Sequence, residues 1–168
     1  MVFRRKRSGK LVVAKNARPS DEPPSEVQLK VRERFRECII YGTAVMKDPE
    51  LKAMYAAAVR GDQSAYNLAV RDAFKAPEIK SVNTDAYSGQ PGSTVTARVI
   101  DDFKVTAVKV SIFSPQGALV EEGDAVLGSN GLDWSYTATA VNDAVAGSRI
   151  RIVAMDTPGN ESSLETTL

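Results

Sequence analysis

Apolar positions along this chain keep two different periods, and the change falls at Pro77. Before it they recur at steps of three and four, the spacing that gathers side chains on one side of a helix; from Ile79 onward they alternate with polar residues, as in half-buried strands. In the first part Val27, Val31, Phe35, Cys38/Ile39, Gly42 and Val45/Met46 predict one buried stripe on a first helix. Lys30, Arg32, Glu33, Arg34, Arg36 and Glu37 fall elsewhere and are expected in solvent. Ser25, with Gln28 three residues on, has the capping-box spacing that satisfies two backbone donors at a helix start. Asp48 before Pro49 is a second start signal, an N-cap with proline at the first helical position. Leu51, Met54, Tyr55 and Ala58 give that helix an apolar side, and Gly61 suits its C-terminal cap. Asp62 or Ser64 opens a third helix carrying Tyr66, Ala69, Val70 and Ala73 or Phe74, which must stop before Pro77.

Beyond the break, Val95, Ala97 and Val99 alternate with Thr94, Thr96 and Arg98. The same pattern holds for Val108, Val110 and Ile112, for Trp134, Tyr136 and Ala138, and for Ile150, Ile152 and Ala154. Strands are expected at 79–86, 93–100, 105–113, 117–122, 132–140, 148–156 and 162–167. Turn residues every 8 to 12 positions fit an all-β sandwich of immunoglobulin size. The predicted class is therefore α+β: a helical domain over 25–76, then a seven-stranded sandwich over 78–168. Residues 1–24 read as a basic, Pro-rich, partly flexible arm, because the prolines of Arg18-Pro-Ser-Asp-Glu-Pro-Pro24 block helix. Within it the β-branched run Lys10-Leu-Val-Val-Ala-Lys15 could add to a sheet edge.

Charge follows the same division. Residues 1–77 hold 16 Lys and Arg against 9 Asp and Glu, and residues 78–168 hold 6 against 12, so a total of +1 conceals +7 joined to −6. Such asymmetry points to an anionic partner for the basic part, or to pairing of the two parts. With no histidine and only Cys38, the chain lacks the groups for Ser-His-Asp or Cys-His catalysis, His general bases and zinc cages. A lone cysteine also excludes a disulfide framework. No apolar run reaches the roughly 18 residues of a membrane span. The apolar stretch Leu11 to Ala14 is too short for a signal peptide, so a cytoplasmic location and no membrane partner are expected.

Asp101-Asp-Phe-Lys-Val-Thr-Ala-Val-Lys-Val110, Trp134-Ser-Tyr-Thr and Ala154-Met-Asp-Thr-Pro-Gly-Asn160 resemble bacterial immunoglobulin-like modules, in which a strand ending A-x-D enters a turn closing with G-N. The resemblance covers 79–168 and implies a spacer or a binding surface. Asp48-Pro-Glu-Leu-Lys-Ala-Met-Tyr55 through Ser64-Ala-Tyr-Asn67 resembles the later helices of HMG-box proteins. The joining of helical head to sandwich is similar to small uncharacterised bacterial proteins.

Candidate chemistry is sparse. Asp101, Asp102, Asp156 and Asn160 sit at strand-to-loop corners and are calcium candidates; the alternative is that they cap turns. Arg4, Arg5, Lys6, Arg7 and Lys10 in the arm, with Arg32, Arg34 and Arg36 on helix one, could neutralise nucleic-acid phosphates. Cys38 falls on the inner stripe, where a thiol behaves as a small hydrophobe. Glu121 and Glu122 are adjacent on a strand and point to opposite faces, so they cannot share a cleft; with Asp124 they predict a solvated edge guarded by charge. No phosphate loop is present. A head of about 50 residues is marginal alone and should dock or self-associate. The expected function is thus a non-enzymatic, protein-binding or scaffold protein without cofactors, whose partner is another protein or a second copy. A nucleic-acid-associated protein is the alternative, and a carbohydrate-binding protein the third reading.

Overall fold

A computed structural model describes residues 1–6, 8–16 and 22–168; the chain is α+β, and the described residues hold three helices and ten strands in three sheets. It divides into two compact units, Met1–Phe74 and Lys75–Leu168.

In the first unit the start signals act as expected. Helix α1 (Glu26–Val45) opens on Ser25, whose Oγ accepts the Gln28 N–H at 3.3 Å while the Ser25 N–H donates to Gln28 Oε1 at 3.1 Å. Helix α2 (Pro49–Ala58) opens on Asp48, whose Oδ1 accepts the N–H groups of Glu50 and Leu51. Of the two residues proposed to begin α3 (Ala65–Phe74), Ser64 is the cap, its Oγ accepting the Asn67 N–H at 3.1 Å. The cap of α2 is Val59, and Gly61, at φ +63°, shapes the turn beyond it.

The helices meet around Cys38, Val70 and Ala73, with Tyr41 and Tyr66 packed against them. Tyr55 on α2 is fully buried and donates its hydroxyl hydrogen bond to Asp72 Oδ2 on α3; Tyr41 on α1 lies 3.0 Å from the Tyr55 hydroxyl. One polar chain thus pins all three helices. Burial and the bond to Asp72 push the Tyr55 hydroxyl far above its ordinary titration range. Gly42 sets how closely α1 and α3 approach, since a Cβ there would sit 2.5 Å from Val70 Cγ2 and 3.2 Å from the Tyr66 ring. Gly42→Leu is expected to lower the stability of this unit by about 2 kcal/mol or more through overpacking. Gly42→Ala should cost less, because helix propensity returns up to about 1 kcal/mol. Urea unfolding followed by far-UV circular dichroism checks both, and an unchanged midpoint for Gly42→Leu would refute the close approach.

Within the stretch read as a basic, Pro-rich, partly flexible arm, strands β1 (Val2–Arg5) and β2 (Leu11–Ala14) pair antiparallel with each other, Phe3 opposite Val13 and Arg5 opposite Leu11. The run Leu11–Ala14 is therefore a strand, but its partner is β1. The turn of this hairpin is held by Asp62, which accepts from the Ser8 N–H at 2.9 Å and the Ser8 hydroxyl at 3.1 Å, with Lys6 Nζ at 3.7 Å. These bonds, the Ser8 N–H first, hold the Asp62 carboxyl below its usual range.

The second unit contains β3 (Glu78–Asn83), β4 (Thr94–Ile100), β5 (Val105–Phe113), β6 (Leu119–Asp124), β7 (Val126–Leu127), β8 (Asp133–Thr137), β9 (Arg149–Asp156) and β10 (Glu161–Thr167). Each of the seven expected segments contains or overlaps a strand; the two-residue β7 is an addition too short to leave a periodic signal. They form two antiparallel four-stranded sheets, in the orders β3-β4-β8-β7 and β10-β9-β5-β6. Alternation supplies one core from both sheets: Val95, Ala97, Val99, Trp134 and Tyr136 from the first, Val108, Val110, Ile112, Ile150, Ile152 and Ala154 from the second. In the second sheet Val110 stands opposite Ile152 and Ile112 opposite Ile150.

Candidate interaction face

The predicted buried stripe of α1 is buried only over its second half. Cys38, Gly42 and Val45 are inside, whereas Val27 is 70% exposed, Val31 50%, Phe35 48% and Ile39 37%. The reason is length. α1 has 20 residues and α3 has 10, and α3 runs against α1 so that Phe74 meets Phe35 edge to face at 6.3 Å while Val70 meets Gly42. Residues 26–34, roughly 13 Å of helix at 1.5 Å per residue, therefore project past the end of α3. At about 100° per residue, Val27, Val31 and Phe35 lie within about 60° of Cys38, so the apolar row continues past α3 with no covering element among the described residues of this unit. Leu29 and Ile40, also exposed, stand singly on the opposite side. Beside Phe35 the row opens into a groove of about 480 Å³ lined by Asn67, Val70, Arg71 and Phe74. Its walls are mainly hydrocarbon, and it holds no general acid or base.

Among the described residues, the basic side chains proposed for phosphate contact face several directions. Arg4 and Arg5 are neighbours on β1 and point to opposite faces of the hairpin. Lys6 is drawn to Asp62, and the Lys10 carbonyl accepts the Lys6 N–H. Arg34 donates to the Ala73 carbonyl at 3.0 Å and lies 3.6 Å from Glu37. Arg32 and Arg36 neighbour each other on α1 but fall about 160° round the helix from Arg34. Arg7 lies outside the described residues.

Of the calcium candidates, Asp101 and Asp156 each cap a turn. Asp101 Oδ2 accepts the N–H groups of Phe103 and Lys104 at 3.2 and 3.0 Å. Asp102 pairs with Lys75 at 3.2 Å. Asp156 accepts the Asn160 N–H on one oxygen at 2.6 Å and its Nδ2 on the other at 2.7 Å, which closes the A-x-D to G-N turn. Burial, reinforced by the nearby charge of Asp101, pushes the Asp156 carboxyl up. Cys38 is buried as expected, and burial raises its thiol, which makes it a poor nucleophile at neutral pH.

Glu121 departs from expectation. It was placed on a solvated edge, yet it points inward from edge strand β6 and is only 8% exposed. Its Oε2 accepts four hydrogen bonds: from the Tyr136 hydroxyl at 2.8 Å, the Thr139 N–H at 2.8 Å and hydroxyl at 3.0 Å, and the Ala140 N–H at 3.2 Å. Burial alone would raise this carboxyl, but the four donors outweigh it and hold it below the usual range. Glu122 lies on the other face with Lys109 and Ser111, so the opposite-faces expectation holds. The signal for Glu121 sits two residues on: a Cβ at Gly123 would fall 2.7 Å from the Tyr136 ring, so glycine lets that ring reach across β6 to the carboxylate. All four donors converge on Oε2, and through them Glu121 organises the chain around Thr139.

No protein family matches this chain, and no curated protein matches it. Among solved structures, the crystal structure of an engineered protein from the Northeast Structural Genomics Consortium is similar over 61% of this chain, at 14% identity and a TM-score of 0.37. The chain spans about a quarter of that structure's length, 26%. No helix among the described residues is long and apolar enough to cross a membrane.

Proposed function

We propose that this chain is a non-enzymatic interaction protein that joins an immunoglobulin-like sandwich to a helical binding unit. The observation that carries this reading is the uncovered row Val27, Val31, Phe35 and Ile39 on α1, continued by the groove at Phe74. Contiguous exposed apolar side chains on one face mark binding surfaces more often than isolated ones do. Support for the immunoglobulin-like part comes from strand order: β3-β4-β8-β7 facing β10-β9-β5-β6 follows the ABED and GFC sheets of constant-type domains, with β6 as one strand more. Trp134 stands on β8 and no cysteine pair crosses the core, so the family's disulfide packing is replaced by aliphatic contacts. A cytoplasmic setting, with Cys38 reduced, belongs to the same proposal. Nucleic-acid binding has less support, because Arg34 is engaged within the unit and Arg32 and Arg36 face another way.

Val31→Asp and Val27→Asp test the reading. Immobilised wild-type chain is expected to retain proteins from a native extract that both variants release, with helix content unchanged by circular dichroism. Identical retention by all three would overturn it.

A further inference from the structure

Resting on that reading, we propose that the partner of this face is an acidic amphipathic helix, which lays its apolar row along the ridge of α1 and sets carboxylates against the arginines on both sides of that ridge. Val27, Val31, Phe35 and Ile39 stand four apart, so at about 40° per step they form a narrow ridge that winds slowly round the helix. Ridges of this kind seat in the groove beside the matching ridge of a second helix. The groove between Phe35 and Phe74, about 480 Å³, supplies a place for one anchoring side chain of that helix. Charge then selects the partner's chemistry. Measured from the centre of the ridge, Arg32 lies about 80° to one side and Arg34 about 80° to the other, with Lys30 and Arg36 following at about 120°. Glu26, Glu33 and Glu37 all fall about 140° or more from that centre, so α1 turns its own carboxylates away from the ridge. Arg34 is held at its flank by the Ala73 carbonyl at 3.0 Å and by Glu37 at 3.6 Å, and Arg71 on α3 lines the groove itself. Hydrocarbon bordered by cations is complementary to a stripe of apolar side chains bordered by acids. It suits a phosphate backbone less well, because such a backbone draws cations onto one surface and here Arg32 and Arg34 stand about 160° apart with apolar side chains between them. A helix lying on a membrane carries Lys and Arg across its whole polar side, whereas the far side of α1 is acidic. The contact is short, so micromolar affinity is expected.

The probe is a displayed library of helical peptides about four turns long, with apolar residues at the i, i+3, i+4 and i+7 anchor positions and the outer positions varied among glutamate, lysine and serine. Peptides selected on the full-length chain are expected to be enriched in glutamate and to bind it at micromolar concentration in fluorescence anisotropy. Val31→Asp should weaken that binding by about tenfold or more, since it places a charge in the apolar seam. Arg32→Glu, at an exposed flanking position, should weaken it by about fivefold at low salt and by less at high salt. The same peptide with its glutamates exchanged for lysine should bind Arg32→Glu better than wild type. Selected peptides with no excess of glutamate overturn the proposal, as does a selection that returns no binder lost on Val31→Asp. Flotation of the chain with phosphatidylserine vesicles, abolished by Val31→Asp, would overturn it in favour of a lipid surface. The broader interaction reading fails separately: a chain that yields no acidic binder but still loses its captured proteins on Val31→Asp leaves that reading standing with a different partner, and one whose retention is also unaffected removes both.

Discussion

Ile152→Ala is expected to remove about 3 to 5 kcal/mol from the stability of the β unit, within the range measured for large-to-alanine changes at fully buried sites. Ile152 has no exposed surface, sits mid-strand in β9 and is flanked by β5 through Val110 and by β10 through Leu164. Strands on both sides prevent collapse into the space left, so the cavity term adds to the lost transfer energy. Ile152→Val, which deletes one methylene, should cost only about 1 kcal/mol. Differential scanning calorimetry would show the contrast as a fall in Tm of the order of 10 °C or more for the alanine variant. A loss below about 1 kcal/mol for Ile152→Ala would mean that the two sheets do not close over this residue.

Glu121→Ala comes next in size. It leaves the Thr139 and Ala140 N–H groups and the Tyr136 and Thr139 hydroxyls without their acceptor. At about 1 to 3 kcal/mol for each buried group left unpaired, and with relaxation sharing the loss, roughly 3 kcal/mol is expected. Acid should reproduce part of this. The folded carboxyl titrates below the ordinary glutamate value of about 4.3. Its stabilisation is therefore complete above that value and is lost as the pH falls through the lower, folded one. Asp133, held down to about 2 by the Arg98 guanidinium, acts in the same sense, though it is more exposed. Asp156 acts in the opposite sense, because burial raises it and its ionisation works against the fold. The quantity to measure is therefore the difference between wild type and Glu121→Gln, by urea unfolding from pH 7 to pH 3. That difference should shrink on acidification, and one that stays constant would show that Glu121 is not ionised in the fold.

What the sequence made legible was local. Ser25 with Gln28 and Asp48 with Pro49 act within one turn of themselves, so their roles hold wherever the helix ends up. Strict alternation in β4, β5, β8 and β9 likewise survives folding, because each strand is covered on one face along most of its length. What was not legible depended on partners. Periodicity assigns Val27, Val31 and Phe35 to the same face as Cys38, but only the length of α3 decides which of them is covered. Two adjacent glutamates on an edge strand look solvated, and the side chain that draws one inward, Tyr136, arrives from the other sheet. Acidic residues at strand ends can be ion ligands or turn caps, and the hydrogen bonds of Asp101 and Asp156 supply caps. The hairpin of β1 and β2 was hidden by its high charge and by the Asp62 contact that anchors its turn from more than fifty positions away.

The chain of Tyr41, Tyr55 and Asp72 restricts how the helical unit can change its sequence. Deleting either tyrosine hydroxyl takes a hydrogen-bond partner from the chain that runs to the fully buried carboxylate of Asp72, and replacing Asp72 with an apolar residue removes the acceptor that Tyr55 is turned to meet. Single replacements therefore pass through a less stable intermediate, while a concerted exchange for an apolar trio of similar volume need not. The three positions, each on a different helix, are bound to one another as heritable traits as well as neighbours in space.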